Sequence, residues 1–326
     1  MASDVDVEKG ASGRGAAGGD VRFQDVPEEL VEACLARLDE ELETKDEGTP
    51  LLRGVRRALV ERRLALPVFS ATLTRVLGLL EKDTVGVGEI ALAVESDPAL
   101  ATKIVGVSNT GFYGGIASIG SVQDALMRTG LEQAKNIVAG VAIRSSVFRA
   151  PGYEGVMDGL WKRSISTALA TLALLEGDGR FRDSAFLLGL VHDVGRIVLL
   201  ASVAVPFLKH NRRFSDEAIE LAGSAIRCEL GAIALSAWTF DEELIEAVIH
   251  QERPEDCPES SRALCAGLYA ADTVVNLGLR GWIPGRNDEL DDRVLALVAP
   301  LGFDLQQCAE ILLIVESGMS AFAKTS

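Results

Sequence analysis

Histidine is scarce in this chain: His192, His210 and His250 are the only three among 326 residues. A divalent metal held by imidazoles needs several converging ligands, and three histidines are too few for a histidine-rich cage. The five cysteines (Cys34, Cys228, Cys257, Cys265 and Cys308) are odd in number, scattered and without Cys-x-x-Cys spacing. That pattern argues against a disulfide framework or a zinc knuckle and predicts reduced, buried thiols. No Gly-x-Ser-x-Gly elbow and no P-loop occur, so neither nucleophilic hydrolysis nor nucleotide binding of those types has support. Residues 1–20 lack the apolar core of a signal peptide. The longest apolar run, Ile197 to Leu208, is short for a bilayer span and contains Pro206.

Basic residues are also outnumbered. Lys plus Arg total 32 against 48 Asp plus Glu, a formal net charge of −16. Such a surface repels nucleic-acid phosphates and anionic lipid, so neither is an expected partner. Together with the thiols, this places the protein in the cytoplasm as an expectation.

What is present is helical periodicity. Leu30, Val31, Cys34, Leu35, Leu38 and Leu42 recur at helical spacing behind Asp25-Val26-Pro27-Glu28, which has the form of a capping box with a first-turn proline. Asp97-Pro98 marks a helix boundary, Ser121 to Asp124 resembles a second capping box, and Gly130 closes that helix. Gly111-Phe112-Tyr113-Gly114-Gly115 reads as a loop. Later helices are predicted at 131–148, 158–176, 183–203, 215–238, 241–250, 260–278, 288–298 and 304–322, with no alternating strand pattern. The fold class is therefore all-α, a multi-helix bundle with an extra N-terminal helix and C-terminal helices. Residues 1–24 have almost nothing to bury and are expected to be disordered. Residues 25–58 form a helical extension, 59–255 the main domain, and 256–326 helices packed on it.

Within the apolar stretch Leu190-Val191-His192-Asp193-Val194-Gly195 sits a His-Asp pair. Such a pair could anchor a metal and activate water for phosphate hydrolysis. The plainer reading is a helix-end histidine followed by an aspartate that caps the next helix. His250 suits a helix C-terminus, and His210, among Lys209, Arg212 and Arg213, reads as a solvated loop residue. A run of arginines (Arg53, Arg56, Arg57, Arg62, Arg63) is a basic patch in an acidic chain. It is a solvated helix face, a partner for the acidic 39–47 segment, or a surface for an acidic partner.

In order along the chain, Leu66-Pro67, Ser96 to Leu100, Val107 to Thr110, Ile119 to Val122, Ala125-Leu126, Thr129 to Leu131, Trp161 with Ser164, Ala185 to Gly195, and Gly231 to Trp238 resemble the HDOD family. These are bacterial regulatory proteins related to HD and HD-GYP phosphohydrolases, and the resemblance covers roughly residues 60 to 255. It implies a helical HD-like fold and a regulatory rather than chemical role.

The resemblance also implies where an active HD site would stand. Its histidine two residues after Trp161 is replaced by Arg163. The pair is kept as His192 and Asp193. A histidine four residues before Gly231 is replaced by Arg227. An expected His-His pair reads His250-Gln251, and Asp272 stands for the last aspartate. Arginine stays protonated and has no lone pair for a metal. Arg163, Arg227 or both are therefore expected to form salt bridges with Asp193 and Asp272, with no metal and no cofactor. The reading that follows is a non-catalytic signalling protein with protein partners, free to form a homo-oligomer. Two alternatives stay open: a metal-dependent phosphohydrolase or cyclic-dinucleotide phosphodiesterase using His192, Asp193, His250 and Asp272, and a cyclic di-GMP sensor binding phosphate through Arg163 and Arg227.

Overall fold

Several helix ends are set by side chains legible in the sequence. In a computed structural model of the chain, Asp97 Oδ1 accepts from the backbone N–H of Ala99 and Leu100, and Pro98 occupies the first turn behind it. The Ser121 hydroxyl accepts from Asp124 N–H, and Gly130 ends that helix at a φ of 79°. The structure describes residues 23, 26–43, 46–69, 71–80, 84–113, 119–175, 177 and 180–323. The expected disordered tail lies outside these residues except for Phe23, which is buried. Asp25, Gly114 and Gly115 also lie outside them.

The fold is all-α, with no strand among the described residues. An N-terminal pair, α1 (Glu28–Glu41) and α2 (Thr49–Val60), precedes five helices: α3 (Ala71–Leu80), α4 (Val87–Glu95), α5 (Pro98–Ser108), α6 (Val122–Thr129) and α7 (Leu131–Ser146). Then follow α8 (Glu154–Leu175), α9 (Arg182–Val191), α10 (Val194–Leu199), α11 (Val205–Leu208), α12 (Asp216–Ala237) and α13 (Glu242–Ile249). The C-terminal helices are α14 (Glu259–Leu279), α15 (Asp288–Val298) and α16 (Leu305–Ala323). One continuous apolar core runs from Phe23 to Phe322. The stripe on α1 buries Val31, Cys34 and Leu38, with Arg37 Nε donating to the Ala225 carbonyl of α12 at 3.3 Å. At the other end of the chain, the Phe322 ring meets Trp161 edge-on, 6.1 Å between centroids.

The helix predicted at 183–203 is broken. It stops at Val191, turns through His192 and Asp193, restarts as α10, and passes through a π-helical turn at Leu200–Ala204 before Pro206. Proline has no N–H to donate, which accounts for an irregular ladder just ahead of it. Counted together, Ser184–Leu208 is long and apolar enough to cross a membrane, a length that Ile197–Leu208 alone lacks. The other helices bury 83% of its most apolar window. This central segment is the one that carries the site.

Candidate functional site

Two close helix approaches place the His-Asp turn. Gly189 lies so near α8 that a Cβ there would stand 2.6 Å from the Ala168 Cα. Gly195 lies against α12, where a Cβ would stand 2.1 Å from the Arg227 carbonyl oxygen. Only glycine permits backbones to meet this closely. As a result α8, α12 and α14 present Arg163, Arg227 and Asp272 to the turn between α9 and α10.

His192 is fully buried, and its Nδ1 meets the Gly189 carbonyl at 2.7 Å. Nδ1 is the donor in that contact, and Nε2 faces Asp272 Oδ1 3.3 Å away. Asp193 is 1% exposed. It stands at the N-cap position of α10, yet its carboxylate makes no capping bond. The sequence reading of Asp193 as a helix cap is corrected here, because guanidinium groups take the carboxylate instead. Arg196 Nε donates to Asp193 Oδ1 at 3.0 Å, Arg227 Nη1 to the same oxygen at 3.4 Å, and Arg163 Nε lies 3.7 Å from Oδ2.

Asp272 is held from two sides. Arg163 forms a fork on it, Nε to Oδ1 at 3.2 Å and Nη2 to Oδ2 at 3.0 Å. Arg227 Nη2 reaches Oδ2 at 3.4 Å. Arg227 also donates to Gln251 Oε1 at 3.2 Å and to Glu252 Oε1 at 2.9 Å, while Gln251 Nε2 donates to the His192 carbonyl at 3.0 Å. Arg196 continues outward to Glu220 at 2.6 Å and to the Ser224 hydroxyl at 2.9 Å. Three guanidiniums thus enclose two buried carboxylates, and the exposed Glu220 and Glu252 offset the remaining positive charge.

The electrostatics follow from this enclosure. Burial pushes the Asp193 carboxyl up, but Arg196, Arg163 and Arg227 together hold it well below the usual carboxylate range. Burial acts the same way on Asp272, and His192, Arg163 and Arg227 outweigh it. In return, although burial opposes their charge, Arg163 and Arg227 are held more firmly protonated by the same two carboxylates.

The sequence-predicted residues do not all converge. Arg163, His192, Asp193, Arg227 and Asp272 do. His250 stands apart: it follows the last turn of α13, and its Nε2 pairs with Glu246 one turn back at 3.3 Å. Its neighbour Gln251 is the residue turned inward, 2% exposed. Three partners escaped the sequence reading: Arg196, Gln251 and Glu252. Arg196 had a signal, since it is the one charge in the apolar run from Val194 to Val205 and lies one turn beyond Asp193. A charge buried in such a run needs a partner.

An HD-type fold implies a divalent metal at this place, and the residues here do not suit one. His192 Nε2 and Asp193 Oδ2 are buried without a hydrogen-bond partner, and they are the remaining donors. A metal ligated by Asp193 would bind at about 2.0–2.2 Å, in direct competition with guanidiniums already within 3.7 Å of both carboxylates. Fixed cations at that range oppose a second cation. Among the described residues, no three His, Cys, Asp or Glu side chains are disposed to hold a metal ion.

Comparisons with known proteins agree with the fold. A solved HDOD domain protein of unknown function from Geobacter sulfurreducens superposes with a TM-score of 0.63 at 22% identity, covering 91% of this chain and 99% of that one. A Shewanella amazonensis SB2B protein, provisionally named a metal-dependent phosphohydrolase, superposes with a TM-score of 0.65 at 23% identity, covering 85% and 99%. An uncharacterized protein from Treponema pallidum (strain Nichols) is 20% identical over 226 residues. That alignment takes in 67% of this chain and 44% of the Treponema protein, so the chain spans less than half the length of this curated relative. The HDOD domain family profile matches residues 66–254, a stretch that holds Arg163, His192, Asp193, Arg196 and Arg227 and stops short of Asp272. The helical fold and the matched stretch together show that this chain belongs to the HDOD domain family.

Proposed function

We propose that this protein is a non-catalytic, cytoplasmic signalling component whose HDOD domain works by binding other proteins. The observation that carries this reading is the guanidinium enclosure of Asp193 and Asp272. In an HD-type hydrolase those carboxylates would be free to hold a metal and so to lower the pKa of its bound water. Here arginines are ion-paired with both carboxylates, and the site supports the joint of α8, α10, α12 and α14. A buried carboxylate pair left without compensation would be costly, and the arginines remove that cost without a metal.

The same pairing weighs against a nucleotide phosphate in this pocket. Arg163 and Arg227 would have to release Asp272 before offering a fork to phosphate. An activity assay tests the proposal. Protein supplemented with Mn²⁺, Fe²⁺ or Mg²⁺ is incubated with cyclic di-GMP and with bis(p-nitrophenyl) phosphate, and its melting temperature is read with and without nucleotide. We expect no turnover and no shift. Metal-dependent hydrolysis abolished by His192→Ala would overturn the proposal.

A further inference from the structure

The arginine run on α2 and just beyond it separates into two groups. Arg56 pairs with Asp39 at 2.6 Å and Arg62 pairs with Glu28, tying α1 to α2 and to the residues just after it. Arg63 lies 3.5 Å from Glu61. Arg53 and Arg57 are exposed and have no acidic partner among the described contacts. They border two adjoining depressions of about 360 and 300 Å³ that share Arg53, Arg57 and Glu61. The second reaches down to Ser202 and Val203 in the π-helical turn and to Phe207. Val60, 60% exposed, lines the first. Arg212 extends the basic surface, its Cζ 6.0 Å from the centre of the Phe207 ring.

We infer that this groove docks an acidic segment of a protein partner, with Asp or Glu side chains on Arg53 and Arg57 and an apolar side chain against Val60 and Phe207. The inference rests on the proposed binding role and gives that role a location. Charge complementarity selects the occupant. The rest of a chain of net charge −16 repels acidic partners, so unpaired guanidiniums beside exposed apolar surface mark where one is accepted. A nucleic acid or an anionic membrane needs a broad basic footprint, and the surrounding acidic surface opposes it. A two-fold contact between copies through this face would set arginines against arginines.

The test is fluorescence anisotropy on the full-length protein, with a labelled peptide of consecutive glutamates around a central phenylalanine. We expect binding that weakens with added salt and falls by at least about tenfold in R53E/R57E. The melting temperature should stay essentially unchanged, because both side chains are exposed. If the charge reversal disturbs folding, R53Q/R57Q serves instead, with the same direction of loss. No binding at low salt, or equal affinity in the variants, would overturn the inference. So would a single-stranded oligonucleotide, anionic phosphatidylserine vesicles or a second copy of the chain binding more tightly through Arg53 and Arg57. Hydrolase assays on the same preparation separate this outcome from the absence of catalysis, since R53E/R57E leaves the Asp193–Asp272 cluster intact.

Discussion

Arg163 grips Asp272 in a two-pronged pair, Nε to Oδ1 at 3.2 Å and Nη2 to Oδ2 at 3.0 Å, across 109 residues of sequence. The bond joins α8 to α14, two long helices packed side by side. A planar fork fixes orientation as well as distance. It replaces coordination geometry with hydrogen-bond geometry at the centre of an HD-like fold.

Removing either carboxylate should be severe. Asp193→Ala leaves Arg196 and Arg227 without their shared acceptor, and Asp272→Ala strips Arg163 of both its hydrogen bonds. Breaking a buried pair from one side costs about 3–5 kcal/mol. Urea denaturation should show each variant losing stability in that range. A loss near the scatter of surface substitutions would mean that the cluster holds nothing together.

Arg196→Lys keeps the charge and discards the fork. The guanidinium serves Asp193, Glu220 and Ser224 at once, from Nε, Nη1 and Nη2. A lysine ammonium cannot span those three acceptors. We expect a loss of about 1–3 kcal/mol, with the native circular dichroism retained. Wild-type stability in this variant would show that charge alone matters.

Acid should act through the same residues. Asp193 and Asp272 are held below the ordinary carboxylate range when folded, so the unfolded chain takes up protons first as pH falls. Their contribution is complete above the unfolded pKa, about 4. It is lost as pH drops from there towards the lower folded values. Unfolding free energy measured from neutral pH downward should fall more steeply in the wild type than in Asp193→Asn or Asp272→Asn. Parallel acid limbs would contradict this.

Gly195→Ala tests the placement of the turn. Its new methyl group would stand 2.1 Å from the Arg227 carbonyl oxygen and 2.8 Å from the Gly231 nitrogen, both backbone atoms with little room to yield. Overpacking of this kind costs about 1–3 kcal/mol. It should also pull α10 away from α12, loosening the Arg227–Asp193 contact. An unchanged melting temperature would place this crossing elsewhere.

The sequence made the helices and the two arginines legible for physical reasons. Asp97 before Pro98 and Ser121 before Asp124 announce their caps by local chemistry. Arg163 and Arg227 stood out because arginine cannot ligate a metal at positions where a relative would carry histidine. The break after Val191 was legible only in part: the plainer reading of His192-Asp193 ends one helix and starts the next there, but apolar periodicity runs on through 183–203 and masks it. Gln251 was passed over for His250 because residue type drew attention to the imidazole, whereas the chain's exit from α13 decides which side chain turns inward. Arg196 was legible in principle as a lone charge in an apolar run. Asp193 is three residues away, but its other two acceptors, Glu220 and Ser224, lie on α12, and no local pattern gives that approach.

The most direct measurement is elemental analysis of protein purified without chelator, incubated with Mn²⁺, Fe²⁺ or Zn²⁺ and then desalted. With the Asp193 and Asp272 carboxylates enclosed by Arg163, Arg196 and Arg227, we expect far less than one ion per chain, unchanged by His192→Ala. One or more ions per chain, lost when His192 is replaced, would contradict the replacement of a metal by arginine.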